Sequence, residues 1–153
     1  MKAYLIDPYA QTVTETEWDG DWKTIAPTIE AEHFDVATFS ENGDGVFVDD
    51  MGYFREGQRF YSIRGYSNPL GGKGLVLGLN SHDGESIEPT LSLDDMQSRV
   101  TFYGTCDLCG AGLRGLGSNG LPVVDGRVCS DCDQVVVLQR LVDLEIVKPP
   151  VTH

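Results

Sequence analysis

The sequence predicts an α+β fold: a small domain of mixed or antiparallel sheet, then a four-cysteine zinc ribbon closed by a C-terminal helix. Three observations carry that prediction. Period-two stretches rich in β-branched residues occur in the N-terminal part, as at Thr12, Thr14 and Thr16. Two C-x-x-C pairs, Cys106/Cys109 and Cys129/Cys132, are separated by nineteen residues. Beyond the last cysteine, Val135, Leu138, Leu141, Val142 and Ile146 recur at helical spacing. The expected organisation is an acidic α+β domain over 1–102, the ribbon and its helix over 103–148, and a frayed tail over 149–153.

Taken in order, residues 2–6 and 11–18 read as two strands joined by the turn Asp7-Pro8-Tyr9-Ala10. Asp19 or Asp21 can cap a short helix through Trp22 to Ile25, which Pro27 should keep short or kinked. Phe34 to Phe39 and Gly45 to Asp49 form a hairpin around Asn42-Gly43-Asp44-Gly45, residues that tolerate positive φ. The glycine-rich stretch 51–74 reads mainly as loop. Leu75-Val76-Leu77-Gly78-Leu79 is a short apolar strand, placed centrally by its lack of polar positions. A turn at His82-Asp83-Gly84 follows. Ser92-Leu93-Asp94-Asp95 then resembles a capping box opening a short helix, and a strand from Val100 to Tyr103 leads into the cysteines.

Charge limits the partners. The chain of 153 residues carries a net charge of −13, which opposes simple binding to a phosphate backbone. The imbalance is local: residues 1–50 have net charge −10, whereas 51–80 have net charge +3. No apolar run reaches the roughly 20 residues a membrane helix needs, and the N-terminus lacks a signal-peptide apolar region. A cytoplasmic location is expected, where thiols stay reduced and metal ligation is favoured over disulfides.

Each C-x-x-C turn can aim two sulfurs at one point, and two turns supply a tetrahedral thiolate set. Cys106, Cys109, Cys129 and Cys132 are therefore the expected ligands of one structural zinc ion, whose binding supplies folding energy to a segment too small to bury much core. Two disulfides and an iron–sulfur cluster are the alternatives. A thioredoxin-like redox pair would need a βαβ setting that this stretch lacks. Leu121-Pro122-Val123-Val124 and Asp125-Gly126 should provide strand and turn between the knuckles. Gly110-Ala111-Gly112-Leu113-Arg114-Gly115 matches G-x-G-x-x-G, but it follows a metal knuckle instead of a strand, so it is not taken as a dinucleotide fingerprint. The final helix, capped by Asp131 or Asp133, is expected to pack the ribbon onto the domain; a partner-binding helix is the alternative.

Outside the ribbon, Asp49-Asp50 with Asp44 and Glu56 could suggest an acidic cluster, yet neighbours on a strand point to opposite faces. His33, His82 and His153 stand apart from any nucleophile–acid arrangement. No catalytic constellation is visible, and a non-enzymatic role is expected. The basic segment offers Arg55, Arg59, Arg64 and Lys73 among aromatics and glycines, suited to a nucleotide-like or other anionic ligand. Pairing of these cations with the protein's own carboxylates is the competing expectation.

The opening Met1-Lys2-Ala3-Tyr4-Leu5-Ile6-Asp7-Pro8 and Thr12-Val13-Thr14-Glu15, with Asn42 to Gly52 and Asn68 to Gly78, resembles a family of small uncharacterised proteins of bacteriophages and plasmids. The resemblance covers residues 1–100 and leaves the ribbon outside. It implies a mobile-element origin and transfers no activity. Together with the charge, it leads to an expected role as an accessory protein that binds and modulates a host protein, such as a counter-defence inhibitor. Glu15, Glu17, Asp19, Asp21, Glu30, Glu32 and Asp35 would engage a basic surface on that partner. Sequestration of a small anionic ligand through 53–74 is the alternative function.

Overall fold

The computed structural model describes residues 1–79 and 85–145. The turn at His82-Asp83-Gly84, and Ile146, Lys148-Pro149-Pro150 and His153, lie outside the described residues. Strands β1 (Lys2–Asp7) and β2 (Thr12–Glu17) form the first hairpin. β3 (Phe34–Thr38) and β4 (Asp44–Asp49) form the second. β5 (Phe60–Ile63), β6 (Leu70–Gly71), β7 (Gly74–Leu79) and β8 (Ser86–Ile87) follow. The main sheet runs β2-β1-β7-β4-β3, every pair antiparallel, with β8 on the far end of β7. The apolar strand at 75–79 is thus central.

The central strands β4 and β7 are buried on both faces, which is why β7 carries no polar side chain and the two aspartates of β4 stand at its ends. One face packs Ala3, Phe47, Leu75 and Leu77 against Trp18, Ile25 and Ile29. Trp18 follows β2, Ile25 opens a single helical turn α1 (Ile25–Thr28) that continues from a 3-10 turn (Trp22–Thr24), and Ile29 is the C-cap of α1. Asp21 caps the 3-10 turn by accepting from the Lys23 amide at 3.0 Å. Pro27 falls within that one turn, where the missing N–H removes no internal bond, and the helix stays short.

The other face packs Tyr4, Ile6, Val46, Val48 and Val76 against Tyr61, Ile63, Leu70 and Met96. Here the sequence expectation fails: 51–74 is not mainly loop. It contains a 3-10 turn (Gly52–Phe54), β5 and β6, which join β9 (Val100–Phe102) in a second sheet ordered β6-β5-β9. The strands are only a few residues long, and β5 pairs with β9 far along the chain, Tyr61 opposite Phe102. Helix α2 (Leu93–Arg99) supplies Met96, and Ser92 caps it by accepting from the Asp95 amide at 3.2 Å.

The ribbon has its own small core of Cys106, Leu113, Val128 and Val136. Its strands are β10 (Ser118–Asn119) and β11 (Arg127–Val128), earlier than expected for the first: Leu121 to Val124 form a turn instead. The final helix α3 (Ser130–Asp143) starts at Cys129, not at Asp131 or Asp133. Its one fully buried residue is Val136, whereas Val135 and Leu138 are exposed. The helix thus packs on the ribbon one position out of phase with the predicted stripe. No helix among the described residues is long and apolar enough to cross a membrane.

Candidate metal centre

The four cysteines are brought together by two different local structures. Cys106 to Cys109 form a tight turn closed by the Gly110 amide donating to the Cys106 carbonyl at 2.9 Å. Gly110 has φ +78°, a conformation that glycine adopts without a Cβ penalty. The amides of Leu108 and Cys109 point at the Cys106 sulfur, at 3.4 and 3.5 Å. The second pair uses the start of α3: Cys129 is the N-cap residue, and Cys132 lies in the first turn, where the helix dipole favours negative charge.

All four sulfurs lie within 4.8 Å of one another. The Cys109 and Cys129 sulfurs are 3.8 Å apart, far from a disulfide bond and matching the edge of a ZnS4 tetrahedron with Zn–S of about 2.3 Å. The cluster is consistent with one metal ion such as zinc. Its protonation chemistry fits a cation. Burial disfavours the Cys106 thiolate, but the amides of Cys109, Cys129 and Leu108 outweigh that and draw the thiol down to about 6. The neighbouring Cys129 sulfur and burial, then the Cys109 and Cys106 sulfurs, push Cys132 up to about 12. Four thiolates packed this closely need positive charge between them.

Asp107, which donates no ligand atom, ties the halves together. Its amide donates to the Arg127 carbonyl at 2.9 Å, and its carboxylate accepts from the Arg127 amide at 2.8 Å. Arg114 ties the ribbon to the domain. Its guanidinium donates to the Tyr53 carbonyl at 2.9 Å and lies over the rings of Tyr53 and Phe60, 4.8 and 5.1 Å from their centroids. Gly112 packs directly on the Gln58 carbonyl, where a Cβ would overlap the oxygen. Sequence reasoning missed both roles, because neither residue is of a ligand type.

The ribbon's cations are consumed internally. Arg127 donates to the Leu116 and Gly117 carbonyls, and Arg140 donates to those of Leu121 and Asn119. The G-x-G-x-x-G stretch leads into loop and not into a helix, as Thr105 and Gly112 form an isolated bridge in its middle.

The other predicted residues are dispersed. Arg55 pairs with Asp49, and Lys73 with Glu30 at 3.0 Å, so two of the four cations answer the protein's own carboxylates. These two line a small cavity of about 70 Å³ with Tyr9 and Gln58, whereas Arg64 lies in a different groove. The acidic residues are all exposed but do not converge on one element. Glu15 and Glu17 sit on edge strand β2, and Asp35 on the opposite edge strand β3. Glu17 pairs with the N-terminus, and Asp19 and Asp21 hold the turn before α1. Asp44 and Asp49 stand at opposite ends of β4, so the acidic cluster does not assemble.

No known protein family, curated protein or solved structure matches the chain. No family is identified.

Proposed function

We propose that the protein is a non-catalytic binding protein whose ribbon is held by one structural zinc ion. The single observation that carries this reading is the completeness of the sulfur set. Four cysteine sulfurs within 4.8 Å of one another would fill a zinc coordination sphere, and a catalytic zinc keeps one position open for water or substrate. Zinc bound there would fix the start of α3 and the two knuckles as one unit, and do no chemistry.

The partner reading follows from charge. With 24 acidic and 11 basic residues, the molecule presents carboxylates of which Glu15, Glu32 and Asp35 have no ion-pair partner among the described residues. They would draw a basic surface of a host macromolecule and bias its orientation. A counter-defence or host-modulating accessory of bacteriophage or plasmid type is the role that combines these features. Native mass spectrometry of protein purified without chelator tests the first part, with a mass increment of one zinc expected. Comparing capture from host extract by the native protein and by an E15Q/E32Q/D35N variant tests the second. Equal capture by both would remove the acidic surface from the mechanism.

A further inference from the structure

We infer that Arg64 and Arg99 form a binding site for a phosphate monoester of nucleotide class, which relocates the anionic-ligand site away from Arg55 and Lys73. The inference does not depend on the metal or on the acidic surface.

The site arises from strand alternation. On β5, Tyr61 and Ile63 point into the core, at 0% and 1% exposure, so Ser62 and Arg64 point out. On the partner strand, Val100 and Phe102 pack inward, leaving Arg99, Thr101 and Tyr103 on the same outer face. The register pairs Ser62 with Thr101, and the Arg64 amide donates to the Arg99 carbonyl at 2.9 Å. The two arginines are therefore immediate neighbours across the ladder. They flank a groove of about 390 Å³, within the size range of small-ligand sites.

The groove's chemistry is unlike the rest of the molecule. Its lining contains no Asp or Glu, although the chain has a net charge of −13. Neither arginine has a carboxylate partner among the described residues, whereas Arg55 and Lys73 both do. The end of α2 favours a cation and accounts for Arg99 alone, but not for a second arginine lining the same groove. The Arg99 guanidinium donates to the Arg64 carbonyl at 3.4 Å, so its charge stays at this end of the groove, and two cations lining one groove are matched by a dianion. Their planar forks match phosphate oxygens, and the hydroxyls of Ser62 and Thr101 can donate to the remaining ones, whereas the Ser98 hydroxyl already donates to the Asp95 carbonyl at 2.7 Å. Tyr66 and Tyr103 border the groove and offer aromatic surface to a base; the Tyr103 hydroxyl is held by Ser62 at 2.8 Å.

The test is titration of the zinc-loaded full chain with AMP and with inorganic phosphate at low ionic strength, followed calorimetrically and by amide chemical shifts. Saturable AMP binding is expected, with shifts centred on Ser62, Arg64 and 98–101. R64Q and R99Q should each weaken it roughly tenfold or more, while K23Q leaves it unchanged. Inorganic phosphate binding as tightly as AMP would overturn the nucleotide class. Absence of shifts at these amides in the native protein, which involves no variant that could misfold, would overturn the site itself. So would undiminished AMP affinity in a folded R64Q/R99Q variant.

Discussion

Asp107 and Arg127 exchange two hydrogen bonds, backbone amide to backbone carbonyl and backbone amide to carboxylate, across the two halves of the cysteine cluster. Asp107 lies between the ligands of the first knuckle, and Arg127 lies two residues before the second. The pair therefore links the two knuckles and helps to set the distance between them. Gly126 is part of the same device, since a Cβ there would overlap the Asp107 carboxylate.

The first prediction follows from that pair. D107A should retain four thiols but weaken metal binding about ten- to a hundredfold, the range found for residues that orient ligands without ligating. G126A should act in the same direction by displacing the carboxylate. Competition with a chromophoric chelator measures both. Unchanged zinc affinity in D107A would mean that the knuckles are held by the sulfurs alone.

Metal removal should separate the ribbon from the domain. The ribbon core is four residues, two of them Cys106 and Val136, and it offers little to hold α3 once no ion draws the sulfurs together. Both tryptophans lie in the N-terminal domain, with Trp18 buried and its indole N–H donating to Thr24 at 2.9 Å. Chelation should reduce the helical circular-dichroism signal and leave tryptophan emission unchanged. Affinity should rise with pH: without metal, Cys132 is held up at about 12 and is protonated at neutrality, so the ion must displace its proton. Zinc titrations at two pH values read that slope directly.

How much of this was legible in the sequence depended on how local each signal was. The hairpins β1–β2 and β3–β4 and the capped helix α2 each announce themselves within 16 residues or fewer. The cysteine spacing does the same for the ligands. By contrast, β5 is four residues long and is defined by pairing with β9, some forty positions later. Glycines at 52, 71 and 74 signalled loop, yet there they allow close packing of backbone and side chains. The phase of α3 was ambiguous for another reason. Val135, Val136 and Val137 are consecutive, so composition alone cannot choose which valine faces inward, and the ribbon core selects Val136.

Asp44 gives a stability prediction. Its carboxylate is fully buried and accepts from the Thr90 amide at 2.9 and 3.1 Å and from the Leu91 amide at 3.0 Å. It pins the segment before α2 to the hairpin. D44A would leave two amides without partners in a confined space, at a cost of about 2–4 kcal/mol. D44N should cost less, because its carbonyl can still accept; what cost remains comes from its NH2 group facing a backbone N–H donor. Urea unfolding midpoints at constant m-value discriminate the two.

Tyr61 and Gly74 give the opposite sign. The Tyr61 hydroxyl is buried with no hydrogen-bond partner among the described residues, and burial raises its pKa. It sits against Gly74, where a Cβ would overlap the hydroxyl and also lie 2.6 Å from Val46 Cγ2. Y61F removes an orphaned polar group without changing the packed ring, so it should be neutral or stabilising by up to about 1 kcal/mol. G74A should destabilise by about 1–3 kcal/mol through overpacking. In the Y61F background the same substitution should cost less, since only the Val46 contact remains, and the difference is the coupling between the two positions. A Y61F variant destabilised by more than about 1 kcal/mol would show that the hydroxyl has a partner, such as a buried water, and would remove the reason for the coupling.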